Sequence, residues 1–338
     1  MKLKIDKINR IVLLGGGDLL LRLVRWCLSK GLPVSVITSP RHANEIIEAN
    51  SSLKKILAYE KVSFLVVEDI SSTKVVKFLD NLDNTFCLSL GAAWIFKDYV
   101  IKDLFKKKLY NMHGTRLPQN RGGGGFSWQI MMGNRLGFCQ LHLVDKGVDT
   151  GDIIKTEEFL YPPSCRIPKD YINLYREKNM HFITSFIEEI IQKSIDIETY
   201  KQTEYFSSYF PRLSTPDHGW IDWKDNIYQL ERFICAFDEP YSGAKTFWNK
   251  EVVYIKKVCI DFSDPTFHPY QSGLVYRNNT KHLSICAVGG TLIIESITNA
   301  KGRNLISNIK VGDRLMTDSK TIDGRRSRVV FTAKGKKK

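Results

Sequence analysis

The chain has 338 residues, 43% hydrophobic and 11% aromatic, a composition that fits a folded protein of two domains and excludes a disordered one. Its longest apolar runs, residues 86–90 and 292–294, are strand-sized, so no membrane span is expected. A net charge of +14 favours an anionic partner without choosing one.

The basic start, Met1 to Lys7, runs straight into a strand-like stretch without a small-residue cleavage pattern, so no signal peptide is expected. From residue 10 to about 160, strand-like and helix-like segments alternate, which predicts a mostly parallel sheet flanked by helices. The strands are expected at 11–14, 33–38, 63–67, 86–90 and 108–112, and the helices at 18–30, 43–57, 72–82, 99–106 and 125–132. After the first strand comes Gly15-Gly16-Gly17-Asp18-Leu19-Leu20. Leu20 stands where a dinucleotide fingerprint needs its third glycine, and no acidic residue closes the second strand, so this reads as a tight strand-to-helix turn. A hairpin over 137–144 and 152–159 then places Asp149 at a loop edge beside the strand ends, where open α/β sheets bind ligands.

Further on, Tyr171, Leu174, Phe182, Ile183, Phe186 and Ile190 recur at helical spacing and predict a core-packed helix over 168–193. The polar and aromatic stretch 201–216, with two prolines, reads as a linker, and 226–237 as a helix. Short strands at 252–255, 273–276, 283–287 and 291–296 predict a small, partly open β-barrel. The basic end, Lys334 to Lys338, is expected as a solvated, frayed tail. Seven cysteines, an odd number without a Cys-x-x-Cys pair, are expected as buried thiols in a reducing cytoplasm.

The chemistry concentrates between residues 111 and 154. Asn111 and His113 precede Leu117-Pro118, Arg121-Gly122, a glycine run to Gly125, and Trp128; His142 precedes Asp149-Thr150-Gly151. An amide, an imidazole and a carboxylate are offered from separate segments beside glycines that let backbone approach a ligand. That set suits acyl transfer to an amine: the imidazole moves a proton, the carboxylate orients and charges it, and the amide holds an oxyanion. Taken singly, each residue has a plainer reading: His113 as a core histidine, Asp149 as a turn former, Asn111 as a backbone partner. A metal held by His113, His142 and Asp145 is disfavoured, because their spacing matches no recognised ligand set and amine acylation needs no Lewis acid.

The ordered set resembles the N10-formyltetrahydrofolate-dependent formyltransferases. Their pattern is an Asn-x-His, a Leu-Pro with Arg-Gly, a Trp, and an Asp-x-Gly after a hairpin turn, here Asn111, His113, Leu117-Pro118, Arg121-Gly122, Trp128 and Asp149-Thr150-Gly151. Residues 215–223 and Glu239-Pro240-Tyr241 through Ala244 look like the entry to the C-terminal domain of the two-domain members, the methionyl-tRNA and sugar formyltransferases. The resemblance implies an α/β, Rossmann-like formyltransferase domain with a mostly parallel sheet over 1–200. It further implies a linker and connecting helix over 201–240 and a small β-rich, OB-like domain over 241–338.

It also implies catalytic roles for Asn111, His113 and Asp149. N10-formyltetrahydrofolate would lie along Gly91, Ala93, Trp94, Ile95 and Phe96 and against Asp145 and Gly147, with no metal. Arg116, Arg121, Gly122 and Trp223 are the implied substrate contacts, although Arg116 stands where the family usually has an apolar residue. On this resemblance the expected reaction is formyl transfer to a nucleotide-linked 4-amino-4,6-dideoxysugar for outer polysaccharide (O-antigen, lipopolysaccharide) biosynthesis, in a cytoplasmic enzyme, with a homodimer as one expected assembly. Methionyl-tRNA formylation is the alternative, and a non-catalytic folate or nucleotide binder a third reading.

Overall fold

Residues Arg10–Gly15, Val34–Thr38, Ser63–Val66, Thr85–Leu90 and Leu109–His113 are short and rich in Val, Ile, Leu and Phe, and they form five parallel strands. The structure is a computed structural model, and residues 2–48, 50–264 and 266–337 are described. Leu136–Leu143 and Ile153–Leu160 add antiparallel to the Leu109–His113 edge, giving seven strands. The first strand lies between Thr85–Leu90 and Val34–Thr38, so strand order reverses there and opens a crevice at the carboxyl ends. Apolar side chains are buried on both faces. One core gathers Ile11, Leu13, Phe86 and Leu88 against helices Asp18–Ser29 and Pro168–Gln192, and another gathers Val12, Leu14, Cys87 and Phe105 on the opposite face.

Ala244–Trp248, Glu251–Asp261, Val275–Asn278, Leu283–Ala287, Gly290–Asn299 and Leu315–Met316 form a six-stranded antiparallel sheet. Its two edges meet: the Val275 N–H donates to the Asp313 carbonyl at 2.8 Å and the Gly312 N–H to the Val275 carbonyl at 2.8 Å, which curls the sheet into a small barrel. Helix Ile227–Ala236 packs on it. A single apolar cluster joins Ile130, Tyr161 and Tyr171 of the first sheet's surroundings to Leu230, Ile255 and Leu292, and Ser127 Oγ donates to the Ala236 carbonyl at 2.8 Å.

Four expectations are corrected. In place of one helix over 43–57, the structure has helix Pro40–Ala43, a bent hairpin of Ile46–Glu48 with Ser51–Ser52, and helix Leu53–Tyr59. The Ser39 side chain caps the first piece, the β-branched pair Ile46-Ile47 favours extension, and Asn50 turns the chain at φ 62°. The expected helix over 99–106 is a single π-turn, Val100–Leu104. The linker carries a strand: Tyr209–Phe210 pairs in parallel with Arg121–Gly122.

The lysine-rich end, too, is ordered as far as it is described. Phe331–Thr332 pairs with Gly335–Lys336, Lys334 Nζ reaches Glu68 at 2.9 Å and Lys336 Nζ reaches Asp217 at 2.6 Å, while Lys338 lies outside the described residues. All seven cysteines are free thiols; burial pushes Cys27, Cys87 and Cys139 up to about 12. Among the described residues no helix is long and apolar enough to cross a membrane.

Candidate active site

Strand Leu109–His113 alternates its side chains between two environments. Tyr110 and Met112 enter the core beneath the long helix, so Asn111 and His113 face the other way, at the carboxyl end of the sheet. On the antiparallel neighbour, register sets His142 opposite Asn111 and Gln140 opposite His113. Gln140 Oε1 accepts the Leu117 N–H at 2.7 Å and so anchors the loop that follows His113.

That loop fixes the imidazole. His113 Nε2 lies 2.7 Å from the Asn120 carbonyl and 2.8 Å from Thr115 Oγ1. A carbonyl only accepts, so Nε2 carries the proton and Nδ1 of the neutral ring presents its lone pair to the cavity. Asp149 Oδ2 lies 3.6 Å from that Nδ1. Orientation therefore comes from Thr115 and Asn120, not from the carboxylate as the motif suggests. What remains for Asp149 is its negative charge, held close to the lone pair on Nδ1.

Asp149 adopts φ 55°, the left-handed region that a non-glycine residue enters only when its surroundings hold it there. The holding groups are visible. The Gly122 N–H donates to Asp149 Oδ2 at 2.9 Å, and Gln202 Nε2 donates to the Asp149 and Gly151 carbonyls at 2.9 and 2.7 Å. Asp145 Oδ1 accepts the Gly147 N–H at 3.0 Å and also the Thr150 hydroxyl. Gln202 lies in the stretch read as a linker, where a lone polar residue carries no recognisable signal.

His142 supports Asn111. Its Nδ1 donates to the Leu143 carbonyl at 2.7 Å, which leaves Nε2 to accept from Asn111 Nδ2 at 2.9 Å. One amide hydrogen is thus committed, and the other is free to meet an oxyanion in the cavity. Burial is the main cause holding His142 down at about 4, against the pull of Asp149. His42 is likewise held at about 4, first by burial and then by Arg41 and Arg212.

Both histidines take up protons more readily when the chain unfolds, where they titrate at about 6.5. Their contribution to stability is therefore complete above that pH and is lost as pH falls toward about 4. The melting temperature is expected to drop between pH 7 and 4.5, and His42→Gln to flatten the drop. A melting temperature level across that window would contradict the assignment.

Asn111, His113, His142, Asp145, Gly147 and Asp149 line one cavity of about 400 Å³ together with Gly91 through Phe96. Its rim includes Ile95, 72% exposed, and Val148, apolar groups that no core claims. Three of the four expected substrate contacts lie elsewhere. Arg121 is buried, with Nε donating to Gln202 Oε1 at 3.1 Å and Nη1 to Glu204 Oε2 at 2.7 Å, so it clamps the linker. Trp223 is buried in the barrel's core, its Nε1 donating to Thr246 Oγ1 at 2.9 Å. Arg116 is exposed and does not line this cavity. Of the four expected substrate contacts, Gly122 alone reaches it. Sequence reasoning missed Arg41, Tyr209, Pro211, Arg212 and residues 328–331, which join the lining from distant segments.

Residues 214–308 match the family domain described as formyl transferase, C-terminal domain. Over that stretch the chain is similar to the C-terminal domain of formyltransferases. It is 28% identical over 307 residues to the bifunctional polymyxin resistance protein ArnA of Wigglesworthia glossinidia brevipalpis, covering 84% of this chain and 45% of that protein. With the methionyl-tRNA formyltransferase of Ruminiclostridium cellulolyticum it shares 26% identity over 214 residues, 62% of this chain and 66% of that one. The chain thus spans less than two thirds of either curated relative. Its fold is similar to that of the N-formyltransferase from Helicobacter canadensis solved with folinic acid and dTDP-3-aminofucose, at a TM-score of 0.66 and 20% identity over 86% of this chain and 100% of that one.

Proposed function

We propose that the protein transfers a formyl group from N10-formyltetrahydrofolate to the amine of a nucleotide-linked 4-amino-4,6-dideoxysugar, a step toward an outer polysaccharide. The observation that carries this reading is the convergence of Asn111, His113 and Asp149 on one cavity, with the His113 ring fixed so that Nδ1 faces inward. The Helicobacter canadensis protein, solved with a folate and dTDP-3-aminofucose, supports a nucleotide-linked aminosugar as the acceptor but not the 4-position of its amine.

The residues fit a folate: exposed Ile95 and Val148 offer apolar surface to a flat heterocycle, and the backbone of 91–96 lines the same wall. When bound, the folate supplies the formyl carbon. The chain's own residues do the rest. His113 Nδ1 accepts the proton that the amine sheds as its nitrogen forms the new bond, and it can return that proton to the departing nitrogen. Asp149 at 3.6 Å offsets the imidazolium charge in the meantime. Asn111 donates its free amide hydrogen to the oxygen on which negative charge develops, while His142 keeps the amide in place.

The test is to supply purified protein with N10-formyltetrahydrofolate and a panel of dTDP-, UDP- and GDP-linked 3-amino and 4-amino dideoxysugars, scoring N-formyl product by mass. A second reading, methionyl-tRNA formylation, is favoured by the Ruminiclostridium relative and by the +14 net charge. A tRNA acceptor would bring a steep salt dependence, about 0.7–0.9 in log–log slope per phosphate neutralised. Formylation of methionyl-tRNA well above every aminosugar tried, with that slope, would replace the first reading by the second.

A further inference from the structure

Beyond residue 308, where the family domain match ends, the chain returns to the catalytic sheet. His218 Nε2 donates to the Ser327 carbonyl at 2.9 Å, the Arg41 N–H donates to the Ala333 carbonyl at 3.1 Å, and the Lys334–Glu68 and Lys336–Asp217 pairs pin the closing hairpin. Between these anchors, residues 328–331 form part of the wall of the cavity that holds Asn111, His113 and Asp149.

That wall is cationic. Arg41, from the short helix Pro40–Ala43, Arg212, from the linker, and Arg328, from the C-terminal segment, all line the cavity. Among the described residues none of the three has an ion-pair partner within 4.0 Å, although the cavity's own Asp149 sits within that distance of two histidines. Arg212 instead stacks its guanidinium 4.7 Å from the Phe331 ring, and Arg41 Nη2 reaches neutral His42 at 3.0 Å while its buried Nε has no hydrogen-bond partner. Burial, then the neighbouring Arg212, holds the Arg41 guanidinium below its ordinary value, with Glu45 pulling the other way. Buried or gathered cations are ordinarily paired, and here Glu45 acts on Arg41 and Arg212 only from beyond ion-pair distance.

We infer that Arg41, Arg212 and Arg328 form an oxyanion-binding subsite completed by the C-terminal segment. The inference rests on the proposed reading of this cavity as a folate and acceptor site. Closely spaced oxyanions reach such a cavity from two sources: the diphosphate of a nucleotide-linked acceptor, or the carboxylates of a folate's glutamate tail. Guanidinium forks suit either.

Equilibrium titration of the full chain and of Arg328→Ala and Arg212→Ala with inorganic pyrophosphate, 5-formyltetrahydrofolate monoglutamate and its triglutamate separates them. Loss of one charged contact is expected to weaken the bound anion by about ten-fold or more. A pyrophosphate constant raised in both variants, with the two folates unchanged, supports the subsite and assigns it to the acceptor. A triglutamate constant raised, with pyrophosphate and monoglutamate unchanged, supports the subsite and assigns it to the folate tail. Unchanged constants for pyrophosphate and both folates in variants that melt like the wild type would overturn the inference while leaving formyl transfer standing. Conversely, a wild-type chain that binds no folate but loses pyrophosphate on Arg328→Ala would keep the subsite and remove the functional reading. Because Arg328 is exposed, its replacement leaves no cavity in a core. Arg328→Lys, which keeps charge without the fork, is expected to recover part of the affinity.

Discussion

His113→Ala is expected to lower turnover by about 10²–10⁴, the range that a positioned general base contributes. The folate dissociation constant should stay close to wild type, because Nε2 is engaged by Thr115 and Asn120 and only the lone pair on Nδ1 faces the reacting groups. Asp149→Asn is expected to lose turnover as well. The amide oxygen can still accept the Gly122 N–H, so the loop should persist while the negative charge 3.6 Å from Nδ1 is gone. Its pH–rate profile should therefore shift more than its melting temperature. Asn111→Ala removes an oxyanion donor, which typically costs about 10²–10³ in rate. Single-turnover rates near wild type in folded His113→Ala protein would remove the imidazole from the chemistry, and a defect confined to KM would make it a binding group.

Some of this site is legible in the sequence because it is carried by short-range order. Asn111 and His113 are two residues apart on a strand, and period-2 alternation turns both toward the same face. The alternation of strands and helices up to residue 160 likewise fixes an α/β sheet and its ligand-binding edge. What escapes reading is held by contacts across long separations. Gln202 braces Asp149 from 53 positions away, and Arg328 joins Arg41 only because the end of the chain folds back. Neither has a periodicity or a motif.

Charged residues misled for a related reason. Arg116 and Arg121 sit beside the motif, yet one points to solvent and the other is consumed by Glu204, whereas three distant arginines reach the cavity. Nearness to a motif along the chain says little about which way a long, flexible side chain points, since its partners come from elsewhere in the fold, as Gln202 and Glu204 do for Arg121. The same holds for the lysines of the tail. Lys334 and Lys336 are anchored by Glu68 and Asp217, residues far earlier in the sequence.

The backbone at Gly122 should be as sensitive as any side chain that touches substrate. Gly122 adopts φ +99°, and a Cβ there would lie 2.2 Å from the Phe210 carbonyl oxygen and 2.9 Å from Tyr209 Cε2. Backbone cannot swing aside as a side chain tip can, so Gly122→Ala must separate Arg121–Gly122 from its parallel partner Tyr209–Phe210. Two things move with that separation. The Gly122 N–H no longer meets Asp149 Oδ2, and the Tyr209 and Pro211 wall of the cavity shifts. A displacement of about 1 Å in a catalytic group can cost 10²-fold in rate, and turnover of Gly122→Ala is expected to fall by that order. Conformational strain alone does not account for such a loss. Gly302→Ala supplies the comparison, since Gly302 has φ +78° with nothing within 4 Å of its Cβ position. It should lose about 1–2 kcal/mol of stability from the left-handed conformation and retain full turnover. If Gly122→Ala instead behaved as Gly302→Ala does, with a modest drop in melting temperature and unaltered single-turnover rates, the strand pair between motif and linker would be scaffolding, and the placement of Asp149 would depend on Gln202 alone.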